Sequence, residues 1–249
     1  FIELPAFSEN KIDYSPLQKL DFDIKATAQS FIYANKPYLA TKAEVKLKQG
    51  VLNVLSFETQ SDKSTISGDF VLNSNGTPNI KGKYYIAGVK TAALGGKVYR
   101  LNSGILSANG TFDSNASSVS DFMNNLNSSG SFQLTDTVMK GWDLDIIKFD
   151  IEQRKSVAGF DNFVRSSLTS GESAFTKISG KYTIKDGNVS ADKILWQSPV
   201  VDMYMQLSLS LKDKLVNASF DTIYHNASFS DVLKFALEGD LANPQLKLD

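Results

Sequence analysis

The residue types that most often carry acid–base or nucleophilic chemistry are sparse in this chain. Its 249 residues include one histidine, His225, and no cysteine. Asp221 and Ser228 lie close to His225 in the sequence, and these three residue types could form a hydrolase triad. The members of a triad usually come from separate segments, and no Gly-x-Ser-x-Gly turn exposes a serine. We therefore predict that the protein is not an enzyme and that His225 lies in a loop or at a strand end.

Acidic side chains are plentiful, but their spacing indicates neither catalysis nor a metal site. Asp21 and Asp23 would lie about 7 Å apart on one side of a strand, and the other side of that strand is apolar. A solvated surface explains them better than a pair of glycosidase carboxylates. Residues 113–121 lack the glycine and terminal glutamate of a calcium loop. The absence of cysteine excludes disulfides, iron–sulfur clusters and thiolate-bound zinc, and we predict no cofactor and no metal.

The charge balance argues against nucleic acid as a partner. Lys and Arg number 26 and Asp and Glu 27, for a net charge of −1, and no segment concentrates basic residues along a phosphate-binding surface. No apolar run reaches the roughly 18 residues of a membrane helix, and the stretch FIELPAFSEN has neither the basic start nor the apolar core of a signal peptide. Because the chain begins without methionine, we expect a fragment or processed product of a longer protein.

Strict alternation of apolar and polar residues is clearest in residues 198–213. Alternation with a period of two is typical of a strand with one apolar and one polar face. Two interpretations stay open at this point: the inner face of an ordinary sandwich or barrel, and a wall that holds lipid. The apolar positions are Met203, Met205, Leu207, Leu209 and Leu211.

Short alternating runs separated by Gly, Asn, Asp and Ser recur along the whole chain, as expected of consecutive antiparallel strands joined by hairpins. We predict turns at Gln49-Gly50 and Asn75-Gly76. Residues 117–127 show helical spacing, and residues 144–173 indicate two helices or one broken near Gly159. Nothing resembles a linker, so we predict a single elongated unit over residues 1–249: an all-β, curved antiparallel sheet that forms a hydrophobic groove, with one or two short helices.

Three stretches together resemble a known family. Residues 7–73 pass from an aromatic-led start through the alternating LDFDI and LKQGVL to a glycine before another alternating strand. In residues 110–147 a short helix precedes GSFQLTDTVMKGWDL, and the chain closes with FALEGDLANPQLKLD. In order and spacing they are similar to the carboxy-terminal region of the shorter members of the AsmA family of bacterial envelope proteins. The sequence departs from the family at Asp136-Thr137, where Asp-Gly is usual, and at Trp142, where an aliphatic residue is common.

The resemblance implies a periplasmic protein held at the inner membrane by an anchor that precedes Phe1. It implies a long curved sheet with a hydrophobic groove, related to bridge-like lipid transfer proteins. Such a groove would let the acyl chains of phospholipid or another acyl lipid slide between the inner and outer membranes, with envelope proteins as further partners, in support of outer-membrane biogenesis. Each exposed methylene costs about 0.8 kcal/mol in water, so tails need such cover.

We predict that alternate residues of several strands line this groove. Met203 and Met205 suit tails of varying shape because their side chains are flexible. The lining residues are Phe22, Ile24, Leu47, Phe70, Leu72, Phe132, Leu134, Tyr182, Ile184, Met203, Met205, Leu207, Leu209 and Leu211.

Two other classes of function stay open. The protein could be a structural or assembly factor for outer-membrane proteins, with a closed core and exposed strand edges that recruit partners by strand pairing. It could also be an extracellular β-rich adhesin. An open apolar channel would favour lipid transfer, a fully packed interior the structural role, and a rigid polar or aromatic patch adhesion.

Overall fold

The protein forms one large, curved antiparallel sheet. In the computed structural model, thirteen strands follow one another in the sheet in the same order as in the sequence, and the sheet does not close on itself. This confirms the predicted all-β, antiparallel and curved architecture. The structure describes residues 6–33, 36–61, 63–91, 101–153, 158–225 and 232–248.

The strands are long and rich in alternating apolar residues, as the sequence predicted. Every neighbouring pair is antiparallel. They are β1 (Phe22–Tyr33), β2 (Lys36–Lys48), β3 (Val51–Ser61), β4 (Ser64–Asn73), β5 (Asn79–Lys90), β6 (Leu101–Asn115), β7 (Asn127–Lys140), β8 (Glu172–Lys185), β9 (Asn188–Gln197), β10 (Val201–Ser210), β11 (Leu215–Tyr224), β12 (Leu233–Asp240) and β13 (Gln245–Leu248).

Tight turns fix the register of the predicted hairpins. Gln49 and Gly50 have φ angles of 49° and 76°, and Asp186 and Gly187 have 48° and 71°. Two consecutive residues with positive φ form the hairpin turn whose twist matches that of the flanking strands. The predicted turn at Gln49-Gly50 is therefore confirmed. The predicted turn at Gly76 also joins two paired strands, β4 and β5.

The described residues contain four short helices, more than the one or two predicted. None of them has the combination of length and apolar character that crossing a membrane requires. The helix expected within residues 117–127 is present; it begins after Ser118, whose side chain accepts a hydrogen bond from the Asp121 amide at 2.9 Å. The helices are α1 (Ser15–Gln18), α2 (Val119–Asn124), α3 (Leu144–Gln153) and α4 (Phe160–Ser167).

The two faces of the sheet differ in polarity over their whole width. Partnered residues of neighbouring strands point to the same face, so rows of side chains can be followed from strand to strand. We call one face the inner face and the opposite face the polar face. One row that lies on the inner face consists of Ile24, Val45, Val54, Phe70, Gly82, Phe112, Ser128, Ile184, Val189, Leu209 and Val216.

Helices α3 and α4 cover the inner face near the carboxyl-terminal strands and form the main core with it. Ile147 of α3 and Val164 of α4 are fully buried in this core. Trp142 is 2% exposed, and its ring lies 5.3 Å from the ring of Phe220 and 5.6 Å from that of Phe235. The buried members of the cluster all fall between Met139 and Leu241, so this core belongs to the second half of the chain.

The segment before β1 runs along one end of the first half of the sheet. It passes the start of α2 and the residues just before it, the β4–β5 turn and the β2–β3 turn in succession, and so borders that end of the sheet. The contacts are Ser120 N to Ser8 O at 2.9 Å, Ile12 N to Ser117 O at 2.9 Å, Tyr14 Oη to Ala116 O at 2.7 Å, Gln18 Nε2 to Ser74 O at 3.2 Å and Gln49 N to Asp21 Oδ1 at 2.9 Å.

Candidate lipid-binding face

Thirteen of the fourteen predicted lining residues lie on the inner face. The strand pairing shows this, because residues that pair across neighbouring strands point to the same face. Phe22 pairs with Leu47, and Leu52 links Leu47 to Leu72. The exception is Leu211. It follows β10 in the turn toward β11, and it is buried there with its amide bonded to Gly187 O at 3.1 Å. The alternating pattern of residues 198–213 therefore extends one residue beyond the strand itself.

The predicted residues of β10 do not share one environment. Met203 is 0% exposed and Met205 9%, and both belong to the core beneath α3 and α4. Leu207 and Leu209 are partly buried at the margin of this core. The apolar surface of the two methionines is thus already covered by protein. In this half of the sheet the interior is packed, which matches the closed-core interpretation of the stripe.

The first half of the inner face is different, because its apolar side chains are largely half-buried. Ile24 is 47% exposed, whereas Leu47, Val54 and Leu72 are buried. This partly exposed surface extends across β1 to β7, since the register joins its members strand by strand, and at its β7 end Phe132 and Leu134 also pack against the core of the carboxyl-terminal strands. The partly buried apolar residues here include Phe22, Val45, Phe57, Ile66, Phe70, Ile80, Ile86, Leu106, Phe112, Phe132 and Leu134.

Two tyrosines meet in the middle of this face. Tyr84 of β5 and Tyr182 of β8 stand in one row, separated by Gly110 and Gly130 on the two intervening strands. Their hydroxyl groups form a hydrogen bond with each other, spanning three strand spacings, about 14 Å. We call this pair the tyrosine bridge. Burial and the bond to Tyr182 raise the pKa of Tyr84.

The tyrosine bridge requires glycine beneath it. A Cβ atom at Gly130 would lie 2.7 Å from the Tyr182 hydroxyl oxygen and 2.2 Å from the carbonyl oxygen of Asn109. At Gly110 a Cβ would lie 2.9 Å from the Tyr84 hydroxyl oxygen. Real Cβ atoms do not approach other heavy atoms this closely, so any side chain here would displace either the bridge or the neighbouring strand.

The sequence carried a signal for the tyrosine bridge that we did not use. Tyr84 ends the triplet Gly82-Lys83-Tyr84, and Tyr182 ends the matching triplet Gly180-Lys181-Tyr182. In both, the tyrosine and glycine face inward and the lysine faces the opposite way. The two triplets are 98 residues apart, and only the order of the strands brings them to facing positions.

The polar face carries ion pairs and shallow depressions. Lys46 Nζ lies 3.1 Å from Asp23 Oδ2, and Lys25 Nζ lies 3.3 Å from Glu44 Oε2, so Asp23 takes part in a surface ion pair. One depression on this face has a volume of about 780 Å³ and is lined chiefly by hydroxyl, amide and lysine side chains from β6 to β9. Leu55 and Tyr85 are exposed on this face, at 48% and 50%.

The two candidate triad residues that the structure describes, Asp221 and His225, pair with other residues and not with each other. His225 follows β11 directly, which confirms its predicted place at a strand end. Its Nε2 lies 3.4 Å from Asp202 Oδ2 and its Nδ1 lies 3.1 Å from Pro199 O, whereas Asp221 pairs with Lys234 at 3.9 Å. Ser228 lies outside the described residues. In the described ranges, no group of three or more His, Cys, Asp or Glu residues could hold a metal ion.

The inner face therefore consists of an open apolar half, a polar bridge and a closed core. Such a surface can cover hydrocarbon by non-directional contact. Comparison of the chain with protein-family models, with curated proteins and with solved structures finds no match in any of the three.

Proposed function

We propose that this protein is a non-enzymatic lipid-binding and transfer module of the bacterial envelope. Its inner face shields phospholipid acyl chains on their way between the inner and outer membranes. The observation that carries the proposal is the continuous, partly exposed apolar surface across β1 to β7. The family resemblance of the sequence supports the periplasmic location and an anchor before residue 1.

The energetics favour an acyl chain as occupant. Contiguous exposed apolar area of this kind is unusual on a soluble monomer and is typical of binding surfaces. Each methylene that leaves water for such a surface gains about 0.8 kcal/mol, so a chain that covers several half-exposed side chains gains several kcal/mol. Because these contacts have no preferred direction, a chain can slide along the row without a deep minimum.

The packing of the carboxyl-terminal half of the sheet restricts the proposed lipid-binding region to the other half. Helices α3 and α4 already occupy the inner face of the carboxyl-terminal strands, and residues such as Ile147 and Met203 have no exposed surface left. A tail bound on β1 to β7 would therefore meet the packed core near β8. We propose that the open half is the lipid-binding region and that the closed half supports it.

A charge on the inner face tests the proposal. Ile24→Asp places a carboxylate where a tail would lie, and an unpaired charge under hydrocarbon costs several kcal/mol. We expect phospholipid binding to weaken at least tenfold, measured by native mass spectrometry of protein titrated with short-chain phosphatidylcholine. Because Ile24 is 47% exposed, the fold should tolerate the change, which circular dichroism can check.

Leu55→Asp is the matched control. Leu55 is an apolar residue of nearly equal exposure, 48%, on the polar face, and its substitution should leave lipid binding unchanged. Equal losses in the two variants would contradict the assignment of the inner face. A stable wild-type protein that binds no lipid would refute the proposed function and would favour the assembly-factor hypothesis, for which the packed core under α3 and α4 is the supporting observation.

A further inference from the structure

The tyrosine bridge places a polar group in the middle of a surface that otherwise suits hydrocarbon. Phe112 of β6 and Phe132 of β7 lie in the rows on either side of it. Both tyrosines are partly exposed on the inner face. A tail lying across β5 to β8 would therefore contact the bridge together with these phenylalanines.

The tyrosine bridge has one hydroxyl proton that its internal hydrogen bond does not use. Each tyrosine hydroxyl carries one proton, and the bond between Tyr84 and Tyr182 uses one of the two. Among the described residues, the only other hydroxyl in reach is Ser128 Oγ, 3.5 Å from Tyr182 Oη, and Ser128 itself donates to Thr111 O at 2.6 Å. In the described part of the chain, the second tyrosine proton thus has only the long 3.5 Å contact with Ser128 Oγ as an acceptor, at the limit of hydrogen-bonding distance.

Water can accept this proton while the inner face is empty, but a bound tail excludes water. A hydroxyl donor left without an acceptor in an apolar site costs about 1–3 kcal/mol. A hydrocarbon chain offers no acceptor. A ligand that combines apolar chains with a neutral acceptor next to them removes this cost.

We propose that the tyrosine bridge binds the ester carbonyl of an acyl lipid and so selects ester-linked lipids. The inference rests on the proposed function and specifies its ligand. The carbonyl lies at the first carbon of each acyl chain and accepts hydrogen bonds without donating any. The bridge would hold this carbonyl near β6 and β7 while the chain extends over the open face toward β1.

Paired ester and ether lipids test the inference directly. Diheptanoylphosphatidylcholine and its diheptyl ether analogue have chains of similar length, but the ether lacks the carbonyl. We expect the wild-type protein to bind the ester about threefold to tenfold more tightly, which corresponds to one neutral hydrogen bond. Titration by native mass spectrometry gives both dissociation constants. Equal wild-type affinities for the two lipids would overturn the inference while leaving the proposed function intact.

The variants separate the hydroxyl groups from the rings. In Tyr84→Phe or Tyr182→Phe one tyrosine retains its proton, so the ester preference should persist. The double variant has no donor and should bind both lipids equally, and it should bind the ether more tightly than wild type does, because no hydroxyl is left without an acceptor. A persisting preference in the double variant would also overturn the inference. Tyr85→Phe removes a hydroxyl from the polar face and should match wild type. Binding of neither lipid by wild type would refute the proposed function itself.

Discussion

Replacement of Gly130 by alanine should destabilise the protein, although the same change in most strands is favourable. Alanine loses less backbone entropy than glycine on folding, so a tolerated Gly→Ala change stabilises by about 0.4–1 kcal/mol. At Gly130 the new Cβ would lie 2.2 Å from the Asn109 carbonyl oxygen and 2.7 Å from the Tyr182 hydroxyl oxygen. The tyrosine ring can move, but the carbonyl belongs to the paired backbone of β6.

The expected cost follows from these two contacts. Extra methyl groups in well-packed sites typically cost about 1–3 kcal/mol, and here the backbone itself must shift. For a chain of this length, each kcal/mol lowers the melting temperature by roughly 2–4 °C. We therefore expect Gly130→Ala to lower the melting temperature by about 2–12 °C, and to disturb the tyrosine bridge.

Differential scanning calorimetry of Gly130→Ala beside Ser129→Ala provides the measurement. Ser129 is the preceding residue on the same strand, exposed on the polar face, and its substitution should change the melting temperature by no more than a few degrees. An unchanged or higher melting temperature for Gly130→Ala would refute the close approach of β6 and β7 at this row and, with it, the placement of the tyrosines over the glycines.

Two further predictions concern the core and the pH dependence. Trp142→Ala should cost about 3–5 kcal/mol, because the ring is 2% exposed and packs against Phe220 and Phe235; denaturant unfolding measures this, and a cost below 1 kcal/mol would contradict the packed core. Burial raises the pKa of Tyr224, so the contribution of Tyr224 to stability should be constant through neutral pH and be lost progressively above about pH 10, where the tyrosine of the unfolded chain ionises first. Thermal unfolding from pH 7 to 11 checks this, and Tyr224→Phe should flatten the decline.

The sequence was sufficient to predict the local structure because local structure depends on local patterns. Alternation predicted the strands, the Gln49-Gly50 pair a turn and the region around Ser118 a helix. The same alternation also placed thirteen of the fourteen proposed lining residues on a single face. Leu211 does not lie on this face because the chain turns immediately after Ser210. The alternating pattern did not reveal this, because an apolar residue in the turn continues the same alternation.

The sequence could not predict which parts of the inner face are covered by helices. The alternating pattern of a strand is the same whether a helix or solvent covers it. Met203 and Phe70 occupy equivalent alternating positions, yet only Met203 lies beneath α3 and α4. The tyrosine bridge joins residues 98 positions apart, and its formation depends on the strand order and on the absence of side chains at Gly110 and Gly130. These are properties of the assembled sheet.

The order of the strands affects how this protein folds and how its sheet could be extended. Every strand pairs only with its neighbours in the sequence, so most contacts close short loops and folding can propagate hairpin by hairpin. Nearest-neighbour architectures of this kind behave as approximately one-dimensional chains of units. Insertion of one more hairpin would widen the sheet by about 10 Å without rearranging distant strands. Evolution, or an engineer, could therefore adjust the span of such a protein in discrete steps.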